Sequence, residues 1–482
     1  MFMCDFHLQQ WPNCTITARI PRATIGTLPD DVLLEIFDFC RDGTEDWWHR
    51  LVHVCRRWRH IVFESPHRLN LRLLCTEVTP ATELLDVWPA LPLVITHGMH
   101  DNVTPHVEDI DNIIAALKHN ERIREIYIGD IESLHLQTLA AAVMQEPFPA
   151  LTTLVLWSDD ESVPVLPDSF LGGCPPRLQT LQVENIPIPL LQKMCLFSPD
   201  LVELSLWKIS YISPQAMVNC LSALPKLKNF ELEFHSPQPR SDQLPPPLPR
   251  ISLPSLTSLR FQGVSEYLED LVAQIDIPLL DQLSVTFFNQ LIFDISQLPQ
   301  FLSRTEKFKL LGQANIVFNS RSVKVCLAGK PGTATHGTLD LSILCRKRDW
   351  QLSSLAQVCN SFLHSLSTLE RLDIRQGLTL PLHWPDDMEN TQWLELLRPF
   401  TTVKKLRLFR HLVPQVPQAL AEVPGESLPE VIPVVETISI EDPEPSGHVQ
   451  EAIGQFVTAR QLSGHPVAVQ RWDKLLDLQF SA

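Results

Sequence analysis

His49 and His53 stand four residues apart in "WWHRLVHVCRRW". On a helix that spacing puts two imidazoles on one face, where a divalent metal can take both. A metal site needs further ligands, and only Cys55 lies near. The period of the neighbouring apolar residues turns Cys55 toward a helical core, so the histidines read as surface residues and no metal is expected. The chain holds 11 cysteines and 17 histidines, scattered, with no C-x-x-C pair. No spacing selects a Cys–His dyad, so no nucleophilic thiol is expected. The patterns G-x-S-x-G, G-x-x-x-x-G-K-[ST], G-x-G-x-x-G and H-E-x-x-H are absent. "GKPGTATHG", Gly329 to Gly337, holds phosphate-loop residues in the wrong order and reads as a turn. The sequence therefore predicts no catalytic residue and no cofactor.

The chemistry that remains is recognition. Trp157 in "LTTLVLW" and Trp207 in "LVELSLW" each follow the last apolar residue of an alternating stretch. In a strand with one buried face, each indole then points away from the core. Tryptophan and arginine dominate binding hot spots, at about 2 kcal/mol or more each on truncation. Glu184, Glu231 and Glu233 fall at equivalent non-core positions. Together they predict an aromatic–acidic patch for a protein partner with a basic segment. The same face takes Val155, Gln182, Ser205, Arg260, Gln262, Ser284 and Thr286, and later Asp373, Arg375, Arg407 and Phe409. The competing reading is a long loop folded over the tryptophans, which makes them core.

These positions come from one recurring pattern, apolar-x-x-apolar-x-apolar. It reads Ile123-Ile126-Ile128, Leu151-Leu154-Leu156, Leu178-Leu181-Val183, Leu201-Leu204-Leu206 and Leu227-Phe230-Leu232. It continues as Leu256-Leu259-Phe261, Leu280-Leu283-Val285, Leu369-Leu372-Ile374, Val403-Leu406-Leu408 and Val435-Ile438-Ile440. Weaker copies lie at Phe308-Leu310 and Leu339-Leu341. Successive copies are about 23 to 34 residues apart. Helical patterns lie between several of them. "DIDNIIAALKHN" places Ile110, Ile113, Ile114 and Leu117 on one face. "SPQAMVNCLSAL" opens with Ser213 as a cap and Pro214 in the first turn. "LSSLAQVCNSFLHSL" aligns Leu355, Val358, Cys359, Phe362, Leu363 and Leu366. Strand, connection, helix, strand at this period predicts a solenoid with a parallel sheet. The spacing and the L-x-x-L-x-L core resemble irregular leucine-rich repeats. A different α/β domain with similarly patterned strands is the alternative.

The opening of the chain differs. In "TLPDDVLLEIFDFC", Val32, Leu33, Ile36, Phe37 and Cys40 fall on one helical face. Pro29 suits a first helical turn, Asp30 and Asp31 suit the positive end of the helix dipole, and Thr27 is a candidate N-cap. Leu51, Val54, Cys55, Trp58, Ile61 and Val62 repeat the helical spacing until Pro66. Three short helices in about 40 residues make a module below the size that holds itself together well, and one best stabilised by a partner. Leu28-Pro29, Leu33, Ile36-Phe37 and Val54-Cys55-Arg56-Arg57-Trp58 resemble the F-box. Cys40, where that family usually has leucine, and Trp47-Trp48 depart from it. The resemblance implies that Leu28, Pro29, Leu33, Ile36, Phe37, Val54, Cys55 and Trp58 dock the adaptor subunit of an SCF (cullin–RING) ubiquitin ligase. It also implies that the domain behind them recruits a protein substrate.

The expected fold class is thus α/β, with a three-helix F-box ahead of an irregular leucine-rich-repeat-like solenoid. The expected domains are a flexible arm over 1–24, the F-box over 25–68 and the solenoid over 69–482. Proline-rich loops are expected near 236–250 and 413–433. Lys and Arg number 39 against 56 Asp and Glu, a formal charge of −17. That balance argues against binding nucleic acid or an anionic membrane surface, which both need cations. Unpaired cysteines, no apolar run of membrane-spanning length and a mixed N-terminus predict a cytoplasmic or nuclear protein. A repeat-based scaffold that delivers nothing to a ligase is the second functional expectation.

Overall fold

A computed structural model describes residues 25–40, 47–76, 81–98, 107–129, 139, 144–158, 166–167, 169–173, 175–187, 191–237, 250–309, 311–329, 337–362, 366–377, 390–409, 415–421, 431–441 and 447–471. The expected arm over 1–24, residues 330–336 of the "GKPGTATHG" turn and most of the 236–250 loop lie outside these residues. The chain divides into two compact units. One takes the described residues up to Leu74 together with Val87–Pro92; the other takes Cys75–Asp86 and the described residues from Leu93 onward. Among the described residues no helix is long and apolar enough to cross a membrane.

Among its described residues the first unit has three α-helices, α1 (Asp30–Phe39), α2 (His49–Val52) and α3 (Arg56–Glu64). Their core is Leu33, Leu34 and Phe37 of α1, Leu51 and Val52 of α2, Ile61 and Val62 of α3, and Trp47 and Trp48. Trp48 is fully buried, and its Nε1–H donates to the Arg72 carbonyl at 3.1 Å. Trp88 and Phe63 pack edge-on against it, with ring centroids at 5.2 and 5.9 Å. Three expectations are corrected here. The helix starts at Asp30, so Pro29, not Thr27, is the N-cap residue, and no side chain caps this end. Val32 and Cys40 are exposed, because the buried stripe runs through Leu33, Leu34 and Phe37. The spacing from Leu51 to Val62 is interrupted between α2 and α3, so Cys55 is not a core residue. It is exposed and caps α3, its Sγ accepting from the Trp58 N–H at 3.5 Å.

The second unit is built on strands β1 (Leu73–Thr76, straddling the division), β2 (Leu93–His97), β3 (Ile123–Ile128), β4 (Thr153–Trp157), β5 (Thr180–Glu184), β6 (Glu203–Ile209) and β7 (Asn229–Phe234). They are followed by β8 (Ile251–Ser252), β9 (Ser258–Gly263), β10 (Ile275–Asp276), β11 (Gln282–Phe288), β12 (Leu311–Phe318), β13 (Ser322–Gly329), β14 (Thr338–Leu344), β15 (Arg371–Gln376), β16 (Lys405–Leu408), β17 (Thr437–Ile440) and β18 (Ala468–Arg471). Sixteen of them form one sheet in the order β1-β2-β3-β4-β5-β6-β7-β9-β11-β14-β13-β12-β15-β16-β17-β18; β8 and β10 pair separately. From β2 onward neighbours in the large sheet pair in parallel apart from β13, which is antiparallel to both β12 and β14. Parallel neighbours need long crossovers. These carry helices such as Pro214–Ser222, where the Ser213 Oγ accepts from the Ala216 N–H at 3.3 Å. Leu154, Leu181, Leu204, Phe230, Leu259 and Leu283 lie directly opposite one another on successive strands, all buried.

The weak copy at Phe308-Leu310 is not a strand. Glu306–Phe308 is a 3-10 turn, and β12 starts at Leu311. β12 and β13 each alternate on their own, and the short Asn319–Arg321 link joins them as a hairpin, Asn319 N–H donating to the Ser322 carbonyl at 2.8 Å. The stretch 413–433 contains a helix, Gln415–Ala421, whose Val416, Ala419 and Leu420 are buried at helical spacing.

One carboxylate joins consecutive repeats. Glu269, in the helix Ser265–Val272, is 8 % exposed. It accepts from the backbone N–H groups of Ser296 (2.7 Å), Gln297 and Leu298 (2.9 Å) at the start of the helix Gln297–Arg304. Burial raises its pKa, and those N–H donors oppose the rise. No side chain of the second helix's own N-cap does this work. Glu269→Ala strands these donors, and urea unfolding of the full chain should show a loss of about 2–4 kcal/mol.

Candidate docking and recognition surfaces

In the first unit the expected docking residues separate into two groups. Leu33 and Phe37 are buried, and Trp58 packs its half-buried ring on Phe37 at 4.8 Å. Leu28 and Ile36 are half-buried, while Pro29, Val54 and Cys55 are exposed. The exposed apolar set is wider than expected: Ile25 is 52 %, Val32 39 %, Phe39 89 % and Val54 57 % exposed. Leaving that much apolar surface in water costs a unit this small free energy.

Nothing in the sequence distinguishes Arg57 from its basic neighbours Arg56 and Arg59. Its Nε and Nη2 donate to Asp30 Oδ1 at 3.0 and 2.5 Å, its Nη1 to the Gly26 carbonyl at 2.6 Å and its Nη2 to the Leu28 carbonyl at 2.5 Å. A planar five-donor group suits this fork, and lysine does not reproduce it. Arg57 thereby ties the segment carrying Ile25, Leu28 and Pro29 to α3. His49 stacks on Trp88 at 4.9 Å and 11°, with His53 edge-on at 6.1 Å. Among the described residues no group of three or more His, Cys, Asp or Glu is placed to hold a metal.

The second surface is the non-core face of the sheet. Trp157, Glu184 and Trp207 lie opposite one another on β4, β5 and β6. Both indoles are half-buried rather than core. Trp207 Nε1–H donates to Glu231 Oε2 at 2.8 Å, which fixes the ring edge. Glu184 Oε1 pairs with Lys208 Nζ at 2.5 Å, Lys208 sitting at φ 50° where the β6–β7 register shifts. Glu233 Oε1 accepts from Gln262 Nε2 at 2.7 Å. Burial raises the Glu233 pKa; Arg260 and Lys208 oppose this and Glu184 adds to it. All five expected residues thus fall on neighbouring strands of one face. Ser205, expected there too, is 1 % exposed. Gly129 was missed. A Cβ built there would sit 1.7 Å from Trp157 Cε2, so the indole lies directly on the glycine backbone. A glycine just past the strand residues Ile126 and Ile128 was the one signal for it.

Arg57→Lys should speed amide exchange of Leu28 by about five- to tenfold, a loss of ~1 kcal/mol, with α3 unchanged. Gly129→Ala should push the Trp157 indole into water, seen as a red shift of tryptophan emission absent from Gly129→Ala combined with Trp157→Phe.

Comparison with known proteins bears on both surfaces. A family model described as F-box-like matches residues 25–70. No curated protein matches the sequence. Among solved structures, the leucine-rich repeat-containing protein LegL7 from Legionella pneumophila is similar at 12 % identity and a TM-score of 0.25, covering 80 % of this chain and 97 % of its own. At that score the likeness carries no weight, and the repeat architecture rests on the strand register itself. Residues 25–70 are an F-box-like domain, followed in the chain by a leucine-rich-repeat-like array of parallel strands and helices.

Proposed function

We propose that the chain is the substrate-recognition subunit of an SCF-type ubiquitin ligase. The observation that carries this reading is the F-box-like match over residues 25–70, on a unit that keeps Ile25, Val32, Phe39 and Val54 exposed. F-box domains generally bind the adaptor subunit of that ligase. Leu28, Pro29, Ile36, Val54, Cys55 and Trp58 contact the adaptor; Leu33 and Phe37 support them from the core. The strand face with Trp157, Glu184, Trp207, Glu231 and Glu233 takes the protein substrate. The chain performs no bond chemistry. It holds a target beside the machinery that modifies it, and so raises an effective concentration.

Co-purification tests this. Adaptor should be retained by the wild type and lost from a folded Pro29→Ala, Ile36→Asp double variant, with affinity down at least about thirtyfold. Retention by both proteins removes the docking role from these residues. Absence from both overturns the ligase reading and leaves a repeat scaffold.

A further inference from the structure

The same strand face changes sign along the array. On β5, β6 and β7 it presents Glu184, Glu203, Glu231 and Glu233, with Lys208 as the basic residue among them. Glu203 accepts from Gln182 Nε2 at 2.7 Å, Glu231 from Trp207 and Glu233 from Gln262. These donors carry no charge of their own. On β15 and β16 the face presents Arg371, Arg375, Lys405 and Arg407, with Asp373 as the acidic residue among them. Asp373 is held by Arg371 in a two-pronged pair at 2.8 and 2.6 Å. Four carboxylates against one cation thus face four cations against one carboxylate. The strands between carry Arg260 on β9, opposite Glu231, and the Lys324–Asp340 pair, with Nζ to Oδ2 at 2.8 Å, while Ser284, Thr286 and Asn315 are neutral, so they add one cation in all.

A second observation points to a ligand at the basic end. The Arg375 Nε is a buried donor with no acceptor among the described residues. Buried donors without partners are uncommon and costly unless a bound group completes them. Lys405, opposite Arg371 on β16, is exposed.

We infer that this face binds one extended polypeptide with a basic segment on the β5–β7 end and an anionic segment on the β15–β16 end. This rests on the reading above that the face takes the protein partner. Between β7 and β16 lie seven strand steps. At about 4.8 Å per step that is about 34 Å, the reach of about ten extended residues. The partner's two charged segments are therefore about ten residues apart. The anionic charge is carboxylate or phosphate; guanidinium forks donate to the oxygens of either. Complementary charge at both ends fixes the direction in which the partner lies and excludes uniformly basic chains, which meet like charge at the far end.

The test is fluorescence anisotropy of the full chain with labelled synthetic peptides. The first carries four lysines, a ten-residue Gly/Ser spacer and four glutamates; a second replaces the glutamates with glutamines, a third shortens the spacer to two residues and a fourth carries phosphoserines for glutamates. The first peptide should bind at least tenfold tighter than the second and third. Arg375→Glu with Arg407→Glu should reduce it to the affinity of the second peptide, and Lys405→Glu, a solvated position, should act in the same direction without disturbing buried groups. A gain with phosphoserine assigns the anionic segment to a phosphorylated partner; no gain assigns it to carboxylates. Equal binding of the first two peptides, weakened for both by Trp157→Ala with Trp207→Ala, overturns the two-ended site and keeps the aromatic–acidic patch. No binding of any peptide overturns this inference, whereas adaptor co-purification judges the docking reading on its own.

Discussion

One continuous row of apolar side chains underlies the repeat unit. Ile95, Ile126, Leu154, Leu181, Leu204, Phe230, Leu259, Leu283, Leu339, Leu327, Ala314, Leu372, Leu406 and Ile438 are successive partners across the sheet, and all are buried. Each strand is too short to bury its own apolar face, and each is completed by its two neighbours. A slip of one residue in any strand would turn its apolar set to water and its polar set inward. The row therefore locks register over the whole array. It also passes unbroken through the antiparallel β12–β13 hairpin, where Leu327 and Ala314 keep the alternation that the repeat spacing loses.

The outer face of the sheet follows from that lock. Side chains alternate across a strand, so a fixed inner row leaves an equally fixed outer row. Trp157, Glu184 and Trp207 align because Leu156, Val183 and Leu206 are buried just before them. Local features then set what the row offers. The Gly129 backbone makes room for one indole, Glu231 holds the edge of the other, and the left-handed Lys208 reaches back to Glu184.

The F-box-like unit obeys a different constraint. Its core is small and leans on Trp48, which is completed by Trp88 and Phe63 and by a hydrogen bond to Arg72. With so few core positions, Ile25, Val32, Phe39 and Val54 stay outside. The Arg57 fork then holds the entry segment without spending apolar surface on it. The core of this unit and its exposed apolar set are thus made of separate side chains.

Periodicity alone determined most of the architecture. The apolar-x-x-apolar-x-apolar copies gave the buried positions of ten strands, and the Ser213-Pro214 start and the face of Ile110, Ile113 and Leu117 gave two of the helices, because burial imposes a period that composition cannot hide. The Leu28-Pro29 to Trp58 motif located the F-box-like domain for the same reason: its apolar order is local. Features that depend on what lies across a gap in sequence were not legible. Cys55 has helical spacing from Leu51, yet the helix breaks before it. Arg57 looks like Arg56 until Gly26 and Leu28 come within reach of its fork. Strand order at β12–β14, the indole seated on Gly129 and the capping of one repeat's helix by Glu269 of the repeat before are contacts between distant residues. Only the tertiary structure decided them, since hydrogen-bond geometry and close approach are set by neighbours in space and leave no period in the chain.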